Sequence, residues 1–153
     1  MKRTTSWLFA LWGLLLTTRQ APCGEEYFLA HPNRSIQLSQ IRPGSKLVFE
    51  YVCQTKGFPK TIARDVGVRH VVTFEADPES HAFYLKDEQL ERAKVTLSRH
   101  CRCKPLAYDH LEGTLEGRRT ASGPWEVTIH LAAVDASGKE VVKLNSTGIY
   151  RLP

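Results

Sequence analysis

Long hydrophobic runs are almost missing from this chain of 153 residues. The one clear case, Trp7–Leu16, is an apolar run of ten, half of the roughly twenty that a membrane-spanning helix needs. No later stretch approaches that length, so no integral membrane span is expected. Glycine and proline are sparse, at ten and eight residues, which excludes a collagen-like or Pro/Gly-rich low-complexity chain. Neither sign of charge dominates, since 21 Lys and Arg against 16 Asp and Glu leave +5. Cysteine is limited to four residues. Catalytic signatures are missing too: there is no G-x-S-x-G nucleophile turn, no H-E-x-x-H metal pair and no Gly-rich phosphate loop. No cofactor is expected.

What is present suffices for one folded domain. Apolar residues make up 42% of the chain, enough to build a core and too many for wholesale disorder. The start reads as a secretory leader: Lys2 and Arg3, then the apolar run, then polar Thr17, Thr18 and Arg19. Small residues are wanted just before a cleavage point, and Ala21-Pro22-Cys23 ahead of Gly24 fits best. The domain boundaries expected are therefore 1–23 for a signal peptide and 24–153 for a single domain. A cut after Ala21 leaves Arg19 and Pro22 awkwardly placed. Lipid anchoring through Cys23 is the alternative, but Gln20-Ala21-Pro22 is a poor approach to it. Removing residues 1–23 takes away Lys2, Arg3 and Arg19 and no acid, so the net charge falls from +5 to +2. Arg118-Arg119, Arg99, Arg102 and Lys104 then read as solubilising edges, and no nucleic acid is expected as a partner.

Period-two alternation runs from about residue 46 to the end and predicts strands with one buried face. Leu47, Phe49, Tyr51 and Cys53 share a face, as do Val72 and Phe74. Val95, Leu97, Cys101 and Cys103 share another, opposite Lys94, Thr96, Ser98, His100 and Arg102. The clearest case sets Trp125, Val127, Ile129, Leu131 and Ala133 against Glu126, Thr128 and His130. The short aromatic run His81–Lys86 adds one more strand, and Tyr108–Arg118 begins a three-strand meander. Turn signals such as Arg42-Pro43-Gly44-Ser45 and Asp135-Ala136-Ser137-Gly138 separate these runs. Only Thr61–Val66 and Asp87–Ala93 suggest short helices. The fold class expected is all-β, an antiparallel β-sandwich or small barrel of about eight short strands. An immunoglobulin domain is disfavoured, because no Trp lies between Cys53 and Cys101. The predicted core comprises Phe49, Tyr51, Val72, Phe74, Val95, Leu97, Trp125, Val127, Ile129 and Leu131.

If Cys23 leaves with the leader, two inward faces carry the remaining sulfurs. A disulfide from Cys53 to Cys101, with Cys103 as the other candidate partner, is then expected. If Cys23 stays, the count is even and a second bridge can form. The sharper reading of His100-Cys101-Arg102-Cys103 is a metal site. Against it, the spacing lacks the paired C-x₂-C of structural zinc, His100 points away from both sulfurs, and Arg102 adds positive charge. Tyr108, His110 and Glu112 share one face, and pairing across to His130 would complete a candidate binding face or an acid/base cluster. The bland alternative is the solvated face of a half-exposed sheet. Asn33-Arg34-Ser35 and Asn145-Ser146-Thr147 match the N-glycosylation pattern.

The residues thus predict a good scaffold without convergent catalytic chemistry. The expectation is a secreted or periplasmic, non-catalytic binding module with a protein or carbohydrate partner. The alternatives are a structural component pairing through an edge strand, and a small extracytoplasmic hydrolase or metal-binding protein.

Overall fold

Alternating apolar residues become strands when each face finds a partner layer, and here two layers share one core. The computed structural model describes residues 23–55 and 67–152. The expected leader, apart from Cys23, and the expected Thr61–Val66 helix lie outside the described residues. The strands are β1 (Glu25–Gln37), β2 (Gln40–Pro43), β3 (Lys46–Gln54), β4 (Arg69–Ala76) and β5 (Ala82–Lys86). The short helix α1 (Glu88–Arg92) follows, then β6 (Thr96–His100), β7 (His110–Arg119), β8 (Trp125–Val134) and β9 (Glu140–Tyr150).

The fold is all-β, with nine strands among the described residues rather than about eight. A five-stranded sheet in the order β2-β1-β3-β4-β6 curls as a half-barrel over a four-stranded sheet ordered β5-β7-β8-β9. Every ladder is antiparallel. A single parallel bridge, Leu29 to Arg151, joins β1 to the residues just after β9. The layers thus meet on that side. On the other side the edges β6 and β5 stand apart, crossed by α1 and by residues 101–109.

All ten predicted core residues are buried. Aromatic rings from both layers meet at the centre. Phe49 lies 5.0 Å from Phe74 and 5.5 Å from Trp125, and Phe83 stacks on Trp125 at 5.6 Å. Gly117, the cross-strand partner of Phe83, leaves room for that ring where any Cβ would collide with it.

Burial goes further than one-sided alternation implies. Val48 and Val52 of β3 and Val71 of β4 face away from the core, yet all three are buried. Part of the cover comes from the end of β1. A bulge between His31 and Arg34, at Pro32, bends that strand, and its far half pairs with β2. Pro lacks a ladder donor, so a bulge suits it. The resulting hairpin reaches β4: the Ile36 N–H donates to the Glu75 carboxylate, and Lys94 Nζ donates to the Ile36 carbonyl at 3.1 Å. Strands β1 and β2 were not expected from alternation. Their residues Glu25, Glu26, His31, Arg34 and Gln40 interrupt any apolar rhythm.

The disulfide pattern corrects the expected one. Cys53 is bonded to Cys23, with Cα atoms 5.4 Å apart, and Cys101 is bonded to Cys103. Strand order explains this. β4 separates β3 from β6, so a residue on β6 lies about 9.5 Å from its counterpart on β3, beyond the roughly 7 Å span of a disulfide. The row across the sheet runs Cys53, His70, Arg99. β6 ends at His100, and Cys101 and Cys103 lie in the bend beyond it, not on an inward strand face. Pairing of Glu26 with Cys53, and a Gly24 N–H to Gln54 carbonyl bond of 2.8 Å, bring Cys23 alongside Cys53. The Cys23–Cys53 loop, a separation of 30, is worth about 3.5–4 kcal/mol in the chain-entropy model, and the two-residue separation of Cys101–Cys103 about 1.5.

Candidate functional site

The open side of the sandwich holds a cleft of about 700 Å³. Its lining comes from the β5–α1 corner (Asp87), from α1 and the residue before β6 (Glu88, Leu90, Glu91, Val95), and from the start of β7 (Tyr108 to Glu112). Two left-handed residues, Asp87 at φ 50° and Lys94 at φ 51°, turn the chain into and out of α1. Between them Leu90 drops into the core, 2% exposed, and its carbonyl accepts the Val95 N–H at 2.9 Å. With Leu90 anchored, Glu88 and Glu91 are left exposed at the rim.

The cleft therefore has an apolar floor, Leu90, Val95 and Leu111, beneath five carboxylates: Asp87, Glu88, Glu91, Asp109 and Glu112. Among the described residues neither Lys nor Arg lines it. His110 stands between two of the acids, with Nδ1 3.1 Å from Asp109 and Nε2 2.9 Å from Glu112. The bond to Glu112, then that to Asp109, stabilises the imidazolium and raises the His110 pKa above its ordinary value. Tyr108 has a second role. Its hydroxyl accepts the Leu97 N–H at 3.2 Å, satisfying a donor on the open edge of β6 and fixing the wall of the cleft.

The expected binding face is thus only partly assembled. Tyr108, His110 and Glu112 line the cleft, and His130 does not. His130 lies opposite Thr114, two pairs along the ladder from Glu112 with Ala132. Its Nδ1 is 3.0 Å from the Asn145 side-chain oxygen, across to β9. No acid/base cluster of His110, Glu112 and His130 forms. Of the glycosylation candidates, Asn145 projects from the outer face of β9, and Asn33 sits at the β1 bulge with φ 55°. Both are exposed.

The metal reading of His100, Cys101 and Cys103 does not hold here, because both sulfurs are spent in one disulfide and neither is a thiolate. His100 turns to Ser98 at 3.1 Å. Among the described residues no group of three His, Cys, Asp or Glu is arranged to hold a metal ion.

Asp87, Glu88, Glu91 and Asp109 were missed as site residues. The signal available was the acidic pair at 87–88 with Glu91, which alternation and helix pattern assign merely to a solvated face. Their convergence with Asp109 and Glu112 depends on α1 crossing from one layer to the other. Comparison of the chain with protein-family models, with curated proteins and with solved structures finds no match.

A second, smaller cavity of about 370 Å³ shares no lining residue with the cleft. Its walls include Cys23, Cys53, Cys103, His70, Arg99, Val68 and Leu144. Arg99 Nε donates to His70 Nε2 at 3.2 Å. Burial first, and the Arg99 charge second, push the His70 pKa below its ordinary value, so this imidazole is neutral.

Proposed function

We propose that the protein is an extracytoplasmic, non-catalytic binding module whose open-side cleft receives a positively charged segment of a protein partner. The observation that carries this reading is the convergence of five carboxylates from two stretches of the chain, 87–91 and 109–112, around an apolar floor, with no lysine or arginine among the described residues of the lining. His110 bridges Asp109 and Glu112, and Lys86 lies 3.9 Å from Asp87, but the acids still outnumber these charges, and a cationic ligand relieves the remaining repulsion. Leu90, Val95 and Leu111 offer contact to the aliphatic stem of a lysine or arginine while the rim meets its charged head. A neutral carbohydrate would use little of this charge. Among the described residues the lining contains no serine, threonine or cysteine beside His110, so the partner that a histidine-activated serine, threonine or cysteine nucleophile would require is not supplied there. Two disulfides fit an oxidising compartment. No helix among the described residues is long and apolar enough to cross a membrane.

Titration of the protein with a lysine-rich peptide and with a glutamate-rich peptide of equal length tests the reading. The lysine-rich peptide is expected to bind, and more weakly as salt is raised. The triple variant Glu88→Gln, Glu91→Gln, Glu112→Gln removes three rim charges worth about 0.5 kcal/mol each, which amounts to roughly a tenfold loss of affinity. Equal binding of both peptides, or no effect of the triple variant, would remove the cleft from consideration. A hydrolase screen in which His110→Ala abolished turnover would overturn the non-catalytic part.

A further inference from the structure

The two disulfides line one cavity but differ in loop length, in the exposure of their more accessible sulfur and in the charge of the residues around them. Cys53 is buried at the end of β3, and its bond to Cys23 closes a sequence separation of 30. Cys101 and Cys103 are separated by two positions, so their bond restrains the unfolded chain less than half as strongly. They lie outside the strands, with Cys103 exposed and Cys101 partly exposed. No acidic residue occurs between Glu91 and Asp109, whereas Arg99, Arg102 and Lys104 flank the pair. Cys103 also lines the smaller cavity, beside Val68, Leu144 and Arg99.

We propose that Cys101–Cys103 is a thiol–disulfide exchange site that oxidises a pair of cysteines on a partner polypeptide. This goes beyond the binding role assigned to the acidic cleft and uses none of its residues. A partner thiolate attacks the exposed Cys103 sulfur. The Cys101–Cys103 bond breaks, and its electron pair leaves on Cys101, where the neighbouring positive side chains stabilise the departing thiolate. The partner's second thiol, once deprotonated, attacks the partner's own sulfur in the mixed disulfide and expels Cys103 as a thiolate. Two electrons and two protons have then passed from the partner to this chain, which holds a dithiol, and the partner holds a disulfide. The cavity beside Cys103 accommodates the residues flanking the attacking cysteine. Oxidised glutathione, a small-molecule disulfide, reverses the change in this chain by the same chemistry.

Incubation in graded mixtures of reduced and oxidised glutathione, followed by alkylation and peptide mapping, tests the proposal on the folded protein. Cys101 and Cys103 are expected to be alkylated while Cys23–Cys53 remains intact. A reduced two-cysteine peptide is expected to be oxidised one for one. The double variant Arg102→Gln, Lys104→Gln is expected to slow that oxidation about tenfold by withdrawing charge from the leaving sulfur. The variant Cys101→Ser, Cys103→Ser is expected to fold, with a melting temperature only a few degrees lower, and to lose the exchange. The proposal is overturned if both disulfides reduce together or if the charge variant exchanges at the wild-type rate. It is equally overturned if the serine variant fails to fold, or if mapping joins Cys53 to Cys101 or Cys103.

Discussion

Gly113 illustrates how a single residue governs the join between β7 and β8. Its φ is +120°, a conformation that costs an L side chain strain, and a Cβ there would collide with the His130 carbonyl oxygen. Gly113→Ala is therefore expected to destabilise the fold by about 2–4 kcal/mol, from strain and overpacking together. Urea unfolding would measure it, and a loss near zero would show that β8 gives way easily. Trp125 is limiting in the opposite sense. It is fully buried against Phe49 and Phe83, and Trp125→Ala should cost about 3–5 kcal/mol, a large share of a small domain's stability. The two differ in legibility. Trp125 opens an unbroken alternation through Val127, Ile129 and Leu131, so its inward face can be read directly. A glycine within a strand carries no sign of its dihedral angle or of the carbonyl packed against it.

At the level of elements, the strands from β3 onward were legible from apolar alternation, cleanest in the first half of β8 and overrunning the end of β6 by Cys101 and Cys103, and the turn at 135–138 marked the β8–β9 hairpin. The cleft was half legible. Tyr108, His110 and Glu112 share a neighbourhood in the chain, while Asp87, Glu88 and Glu91 reach them only through the crossing of α1. That arrangement makes binding depend on pH. His110 faces Asp109 and Glu112 on its own segment and shares the cleft with Asp87, Glu88 and Glu91 across from it. Its pKa is raised above 6.5, chiefly by the bond to Glu112. Below the raised value the imidazolium offsets one carboxylate. Above it, that positive charge is gone and the cleft is more negative. Affinity for a lysine-rich peptide should therefore increase as pH rises through and beyond 6.5, and His110→Gln should flatten the dependence. An affinity that fell over the same range would contradict the assigned charge state.

For the molecule as a whole, the sulfurs connect folding to maturation. Cutting after Cys23 best fits the small-residue pattern before the cleavage point, but it would discard one partner of a disulfide that fastens the start of β1 to the end of β3. Strand pairing alone leads to the bond, since β1 runs antiparallel to β3 and Glu26 sits opposite Cys53. Nothing in the periodicity of β3 reveals this, because β1 lacks the alternation that would have announced it as a neighbour. Lipid anchoring through Cys23 competes for the same sulfur: a thioether there leaves Cys53 without its partner. The expected mature chain thus retains an unmodified Cys23, with the cut falling before it, and a boundary after Ala21 meets that condition. Intact-mass analysis of exported protein checks each element of the argument. A chain that includes Cys23, carries no lipid and gains the mass of four hydrogens on full reduction is the expected result, two hydrogens for each of two disulfides. A chain beginning at Gly24 with Cys53 unpaired would mean that β1 is held by strand pairing and side-chain packing without the disulfide. The stability of about 3.5–4 kcal/mol assigned to that closure would then have to be withdrawn.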